Sequence, residues 1–589
     1  MADSATAPAS TESCDYAIAG GGVCGLYTAW RLLKDAQENN RARRVVVYEQ
    51  STRVGGRLLS WVPVEGLRAE LGGMRFFEQQ QLVRRLLEQL GLGEEVADVR
   101  VDDPGPPWNP RGARTAAGDD TTARGRCLPA PGERGRSAVE LLVGAFDSVL
   151  REKANVDVFD QRLDGRTPQT REDWDEVKQH LTYDGRKLWH VGFWNLLADK
   201  LSFEAYDHIV DSFGHYSLAS NWNAAEAMRS IMLEFVQDPA YKTLSKGYES
   251  LPRFLAEQVT ALGRRVNGRG WETIRREHRL RGFDESGGRV RLILATGAKD
   301  VAADAGSLVL AMPRRSLEAL ETTPAWNIRA DHELRGLVRS VKPYPAFTLF
   351  LLYRTRWWER HGSGSRWLRH GRSVCDPPIR QTYYMRPDAC EESGGDCPPY
   401  GVLMASYDDA RTVDHWSGPE SPSGLKAELD ARLGQETPEA AALLGNLFYA
   451  AVGHGGEART GPHGDWWKDP PAHVRKADEK MIEETTEQLA VLHGISPGDI
   501  PAPVIGAYAD WTSDPFGGGW NFWRPRTDVK DVMERIKKPL KTTNAFVVGE
   551  AYSGEQGWVE GALTTAESVL QNHLGVNRPD WLRGCYLGW

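Results

Sequence analysis

"YAIAGGGVCGLYTAW", residues 16–30, decides how the chain begins to fold. The short apolar run 16–20 reads as a buried strand, and Gly20, Gly22 and Gly25 leave it at G-x-G-x-x-G spacing. Over 25–37, Leu26, Ala29, Trp30 and Leu33 fall on one helical face. After a polar turn, "RVVVYEQ" (44–50) reads as a second strand ending in Glu49 and Gln50, with Glu49 placed 24 positions past the last glycine. Glycines permit the tight turn and let the backbone approach a pyrophosphate, while the helix N-terminus offers N–H groups and a positive dipole end. Glu49 can accept from a ribose hydroxyl. Strand, glycine turn, helix, strand and acid together predict a Rossmann-like dinucleotide site.

The next segment narrows the cofactor. "STRVGGRLLS" (51–60) sets Gly55 and Gly56 between Arg53 and Arg57. A nicotinamide cofactor needs no second anchor there, whereas a tightly held flavin gains from the Gly55 and Gly56 amides and from two guanidiniums able to pair with phosphate oxygens. At the other end, "NAFVVGEAYSGEQGWVEGALTTAESVL" (544–570) reads as a strand, then Gly549-Glu550, a loop through Gly557 and Trp558, and a helix from Val559. A carboxylate at Glu550 can hold ribityl hydroxyls. The helix N-terminus can face the electron-rich edge of a flavin and stabilise negative charge on its reduction.

These segments resemble the flavin-containing amine oxidase superfamily, and within it the L-amino-acid oxidases of bacteria and fungi. The resemblance implies FAD as cofactor and an α/β (α+β overall) fold: a Rossmann-like FAD domain of the glutathione-reductase and amine-oxidase type, a mixed-sheet substrate domain and a helical domain. In "AELGGMRFF" (69–77), Gly73, Met74 and Arg75 match a Gly-x-Met-Arg sequence that lies close under the flavin. The family's arginine grips the substrate α-carboxylate, as a planar guanidinium does bidentately, so Arg75 points to amino acids rather than simple amines. "RQTYYMRP" (380–387) resembles a paired-tyrosine stretch whose second member, here Tyr384, donates to the same carboxylate; Tyr383 points the opposite way in a strand. Trp558 matches a position near the flavin and the substrate amine, and Trp520 in "DWTSDPFGGGWNFWRP" (510–525) is a candidate cavity wall or packing residue.

One position departs from the family. A lysine that holds a water near the flavin assists reaction with oxygen in most members. In "AFTLFLLYRTRWWE" (346–359), alignment through Trp-Trp-Glu puts Thr348 at that position, with Lys342 six residues earlier as the alternative across a gap. The implied reaction is oxidative deamination of an L-amino acid to a 2-oxo acid, ammonia and hydrogen peroxide, by hydride transfer from Cα to flavin N5. Thr348 keeps open a flavin monooxygenase, giving an amide with loss of CO2, or a dehydrogenase on the same substrates. No general base is assigned: His208 and His215 could overhang the cavity as a base, but a lone histidine is more often an ordinary surface or core residue.

The whole chain accommodates this plan. Its 589 residues allow several domains: an FAD domain from 1–77, 240–325 and 540–575, a substrate domain from 78–135 and 326–539, and a helical domain over 136–239 opened by "SAVELLVGAFDSVLREK" (137–153). Loops are expected at 101–126, 386–400 and 453–473. A net charge of −9 argues against a nucleic-acid partner. No apolar run reaches the roughly 20 residues a membrane span needs, and the polar N-terminal stretch does not read as a secretory signal, so a cytoplasmic setting is expected. Seven scattered cysteines give no metal-ligand spacing, and Cys390 and Cys397 are the one pair that sequence leaves open to bonding. The partners expected are a small amino acid and molecular oxygen, with the oligomeric state undecided.

Overall fold

The four residues of strand Val45–Tyr48 are all buried, as a central strand covered on both faces must be. The computed structural model describes residues 12–64, 67–99, 107–108, 115–116, 129–237, 240–297, 299–361, 368–385, 399–416, 474–512 and 517–588. Cys390, Cys397, the loop expected at 453–473 and most of those at 101–126 and 386–400 lie outside the described residues.

A seven-stranded sheet forms around Glu12–Ala19, which runs parallel to Val45–Tyr48 on one side and to Lys299–Leu310 on the other. Ile274–Arg275 extends the first edge in parallel, and Ala545–Val547 pairs in parallel with the end of Lys299–Leu310. The hairpin of Arg279–Ser286 and Arg289–Thr296 adds antiparallel pairing at the other edge. Both chain ends and the middle therefore share one sheet. Helices Val23–Glu38, Ser250–Asn267 and Val559–Asn572 cover one face, with Leu26, Leu33, Leu255 and Leu563 packed against Ile18, Val45, Val47 and Val309. The first and last of these helices are also joined by polar groups: Glu567 Oε1 accepts from Tyr27 Oη and from Arg31 Nε, both at 2.6 Å. Breaking such a buried pair by removing one partner costs about 3–5 kcal/mol, so this contact fixes the two ends of the chain together.

A second sheet of six strands follows the order Gly371–Val374, Gln381–Met385, Gly401–Asp409, Ala346–Tyr353, Ile505–Asp510, Arg475–Lys476. The sequence leads one to expect a mixed sheet here, yet every neighbouring pair is antiparallel. Among the described strands, parallel pairing occurs in the seven-stranded sheet alone, where connections long enough for a crossover join the strands. Period-two alternation divides this sheet's side chains. Ala346, Phe350 and Leu352 share one face with Tyr383 and Met404, whereas Phe347, Leu349 and Leu351 share the other with Tyr384 and Leu403.

The region from 138 to 231 is helical: Ala138–Leu150, Lys153–Arg162, Arg171–Val177, Phe193–Lys200, Phe203–Ser212 and Ala224–Ile231. The first of these helices starts with a reciprocal cap, Ser137 Oγ accepting from Glu140 N and Glu140 Oε2 accepting from Ser137 N. Gly494, at φ +64°, ends helix Glu479–His493 in the left-handed conformation expected of a terminating glycine. Among the described residues no helix is long and apolar enough to cross a membrane.

Candidate active site

The glycine turn after Glu12–Ala19 contains two glycines with different work. A Cβ on Gly25 would stand 2.0 Å from Gly20 O, so this glycine lets the helix pack onto the strand. A Cβ on Gly22 would meet nothing nearer than Gly56 Cα at 3.8 Å. The space over Gly22 is an open cradle that a side chain would fill, bounded by the second glycine turn, and it fits the close backbone approach of a pyrophosphate. Glu49 reaches the same turn: its Oε2 accepts from Gly21 N at 2.7 Å, and its Oε1 from Ser51 N at 2.9 Å. A cleft of about 230 Å³ runs from this cradle toward the six-stranded sheet, and a hollow of about 400 Å³ continues past Glu49, Gln50 and Ser51 to Tyr48 and His278.

The second glycine turn is braced from inside the protein. Gly55 N donates to Gly21 O at 2.9 Å, which ties the two turns together. Arg53 donates through Nη1 to Val54 O at 2.9 Å and Leu58 O at 3.2 Å, and through Nη2 to Gly56 O. Arg57 Nη1 donates to Gly519 O at 2.9 Å and Glu550 Oε1 at 2.7 Å. The expectation that Gly55 and both guanidiniums hold phosphate is thus corrected in part. These donors first shape the loop, because a turn with two glycines has few other means of holding its form.

Glu550 likewise serves the protein before any ribityl hydroxyl. Besides Arg57, its Oε1 accepts from Asn521 Nδ2 at 2.8 Å, and its Oε2 accepts from Gly557 N at 2.9 Å. One carboxylate thereby ties the neighbours of Trp520 and Trp558 to the first glycine turns. Cys24 also lines the cleft, but its thiol donates to Ala562 O at 3.1 Å and burial pushes its pKa up to about 12.

At the far end of the cleft, the Arg75 guanidinium lies over Tyr241, its Cζ 3.8 Å from the ring centroid and 6.0 Å from that of Tyr383. Burial works against its charge, but the Tyr241, Tyr383 and Tyr407 phenols outweigh this and hold its pKa above the ordinary arginine value. Among the described residues no carboxylate forms an ion pair with Arg75. Thr348 Oγ1 and Trp511 Nε1 both donate to Leu71 O, at 2.9 and 2.8 Å. Trp520 Nε1 donates to Ser217 Oγ at 3.2 Å and Trp558 Nε1 to Glu234 Oε1 at 3.2 Å. The indole N–H groups are therefore all spent on the protein, and the rings present apolar faces. His215 stands behind Trp520 and Tyr407, with ring centroids 5.3 and 4.5 Å away. Burial, then Arg372, Arg75 and Arg380, hold its pKa well below the usual imidazole value.

Of the residues singled out from sequence, those of 20–22, 49–57 and 549–559, together with Gly73, Arg75, Thr348 and Trp520, line this one cleft. Four others do not. Gly25 acts in packing, and Met74 turns its side chain into the core under the six-stranded sheet while its carbonyl accepts from Thr243 Oγ1 at 2.8 Å. Lys342 is exposed on strand Val341–Tyr344, its Nζ on the Tyr344 ring, so it does not take the place of Thr348; among the described residues lining the cleft there is no lysine. Tyr384 is corrected as well. It points to the opposite face of the sheet, where its hydroxyl meets Ser373 Oγ at 2.8 Å and His493 Nε2 at 3.0 Å. Its neighbour Tyr383 takes the side toward Arg75 instead. Sequence reasoning missed Tyr241, Tyr407 and Trp511. Tyr407 sits opposite Thr348 across paired strands, a neighbour that only the register reveals.

Comparison with known proteins agrees with this geometry. A profile of flavin containing amine oxidoreductases matches residues 23–443. Achacin of Lissachatina fulica is 23% identical over 599 residues, spanning 96% of this chain and 94% of that protein. Aplysianin-A of Aplysia kurodai is 23% identical over 582 residues, spanning 96% and 90%. Putrescine oxidase shares the fold: a cofactor-binding redesign superposes with a TM-score of 0.61 at 16% identity, covering 96% of this chain and 100% of the other, and the wild type bound to putrescine with 0.59. A match over most of the chain, an open glycine cradle and a C-terminal turn closing on it lead to one conclusion: the chain belongs to the flavin containing amine oxidoreductases, and its cofactor is FAD.

Proposed function

We propose that the chain deaminates an L-amino acid oxidatively, yielding the 2-oxo acid, ammonia and hydrogen peroxide. The observation that carries this reading is Arg75: an enclosed guanidinium at the end of the cofactor cleft, stacked on Tyr241 and without a carboxylate partner among the described residues. A substrate α-carboxylate supplies the missing charge and, in bidentate contact, fixes the orientation of Cα. Tyr383 and Tyr407 stand near enough to influence Arg75 and offer phenol donors to the same carboxylate. Trp511 and Trp520, with their N–H groups engaged elsewhere, wall the site with apolar surface and keep competing water out. The Arg75 charge also disfavours a neighbouring ammonium, so the substrate amine is more readily presented neutral. Bound FAD supplies the hydride acceptor and the route of electrons to oxygen.

Thr348 favours a second reading on the same substrates. With its hydroxyl committed to Leu71 O and no lysine among the described lining residues, the site lacks the cation that the resemblance expects beside the flavin, which suits a monooxygenase or a dehydrogenase. Product analysis in air separates the readings. Stoichiometric peroxide with 2-oxo acid and ammonia supports the oxidase, an amide with CO2 the monooxygenase, and flavin reduction without oxygen uptake the dehydrogenase.

A further inference from the structure

Trp520 borders the cleft, yet what fixes its ring comes from elsewhere in the chain. Its backbone is set on the cofactor side: Gly519 O accepts from Arg57 Nη1 at 2.9 Å, and a Cβ on Gly557 would stand 3.6 Å from Trp520 Cβ. In the antiparallel pair of Val341–Tyr344 with Trp520–Trp523, Trp520 lies opposite Tyr344. Its ring is set by the helical region. Nε1 donates to Ser217 Oγ at 3.2 Å, and Ser217 belongs to the single 3-10 turn Tyr216–Ala219. His215, just before that turn, meets the indole edge-on, 5.3 Å between centroids. Ser220, just after it, shares a hydrogen bond of 2.5 Å with Tyr344 Oη.

The turn is anchored in its own right. Asp409, the last residue of strand Gly401–Asp409 and fully buried, accepts from Tyr216 N through Oδ1 at 2.7 Å and from Ser217 N through Oδ2 at 2.9 Å. Burial lifts its carboxyl to about 6, even though the Ser217 hydroxyl and the two amides favour the charged form. Among the described residues, the group at ion-pair distance is His215, 3.9 Å away, and burial keeps that imidazole neutral. A serine or threonine alcohol would cap a four-residue turn without enclosing a charge. A carboxylate that takes two adjacent amides does more: it fixes the orientation of the turn against the sheet, and with it the Ser217 hydroxyl. The hydrogen bonds thus pass from the six-stranded sheet, through the helical region, to a wall of the cleft.

Resting on the reading above that an amino acid occupies this end of the cleft, we propose that Ser217 and Asp409 are positioning residues for the substrate. Asp409 locks the turn, Ser217 locks the Trp520 ring, and the locked ring holds the substrate in place. Neither Ser217 nor Asp409 lines the cleft, so each acts through Trp520. The bond also decides what the wall offers: with Nε1–H turned onto Ser217, the indole presents carbon surface to the ligand. Without that acceptor an enclosed N–H is left unpaired, which is costly, and the ring leaves the position on which the shape of the site depends.

The test is a double-mutant cycle on the full-length, FAD-loaded protein. Trp520→Phe keeps an aromatic wall but has no N–H to donate. L-Leucine and L-lysine serve as substrates; 4-methylpentanoate and 6-aminohexanoate, the same acids without the α-amine, serve as ligands read by flavin absorbance without turnover. Ser217→Ala should raise KM and the ligand Kd about 3–10-fold, the worth of one neutral hydrogen bond. The limiting rate of anaerobic flavin reduction should stay within about twofold, as expected when ground state and transition state lose the same contact. In the Trp520→Phe background the same change should have no effect, and Asp409→Asn should show the same dependence on Trp520. Equal losses from Ser217→Ala in both backgrounds, or no loss beside Trp520, overturn the proposal while leaving amino-acid oxidation standing. Coupling seen in ligand binding without oxidation of either amino acid supports the proposal and overturns the deamination reading, whereas no binding of either acid to wild type counts against both. If Ser217→Ala fails to fold, Trp520→Phe alone decides, because it removes the same bond from the other side; an unchanged ligand Kd in that variant overturns the proposal.

Discussion

Adding one methyl group at Gly22 and, separately, at Gly25 should have opposite consequences. Alanine at Gly25 gains about 1 kcal/mol of helix propensity, but its Cβ would lie 2.0 Å from Gly20 O and 3.2 Å from Ala311 Cβ. Both the oxygen and its carbon belong to the backbone of the preceding turn, so helix and strand must separate. Overpacking of this kind costs 1–3 kcal/mol or more, and a backbone obstacle places it at the upper end, for a net loss of about 2 kcal/mol. Alanine at Gly22 meets only Gly56 Cα at 3.8 Å, and the φ of −73° suits any residue. The apoprotein should therefore change by less than about 0.5 kcal/mol, while the methyl fills the cradle that the cofactor's phosphates need. Denaturation of the deflavinated variants, followed by FAD titration monitored by fluorescence quenching, separates the effects. Gly22→Ala should unfold like wild type and bind FAD at least tenfold more weakly; Gly25→Ala should be destabilised before FAD is added. A Gly22→Ala protein with wild-type FAD affinity, or equal apoprotein stability for the two variants, refutes the division of labour.

Further outcomes are expected elsewhere. Arg75→Met should lower kcat/KM for amino acids at least tenfold, since a hydrogen bond to a charged group is worth about 1.5–3 kcal/mol; unchanged steady-state kinetics removes the carboxylate role. Glu70 is pushed up to about 7 from an ordinary value of 4.5 by burial. The folded state therefore holds this proton longer than the unfolded chain, stability falls as pH rises from about 4.5 through about 7, and the loss is about 3 kcal/mol. Glu70→Gln should flatten that part of the stability profile, and a wild-type slope in the variant contradicts the assignment. Thr348→Lys should quicken oxidation of the reduced protein by dissolved oxygen in stopped-flow mixing, and no gain removes the position from the oxygen reaction.

The parts of the site that were legible in the sequence are those made of contiguous chain. Gly20, Gly22 and Glu49 belong to one strand–turn–helix–strand unit whose spacing is dictated by local geometry, and they line the cleft as that spacing requires. Trp558 and Val559 were legible for the same reason, as a loop entering a helix. What failed depends on register. Alternation places Tyr383 and Tyr384 on opposite faces, but both are aromatic and both are buried, at 4% and 3% exposure, so hydrophobicity gives no sign of which face borders Arg75. The pairing of Thr348 with Tyr407 and Ala509 decides it, and that pairing is set by strands far apart in the chain. Tyr241 was hidden likewise, since it reaches Arg75 only by pairing with Phe77 at the edge of a small sheet. Arg53 and Arg57 show a further limit: charge and spacing suggest phosphate, while Nη1 and Nη2 of Arg53 and Nη1 of Arg57 already serve the protein.

The central claim is that Arg75 makes this cleft a site for amino acids and not for simple amines. Anaerobic mixing of the FAD-loaded protein with L-lysine and, separately, with cadaverine, the same molecule without its carboxylate, tests it most directly. The account predicts that the flavin absorbance bleaches with L-lysine and persists with cadaverine; bleaching by cadaverine equal to or faster than that by L-lysine contradicts it.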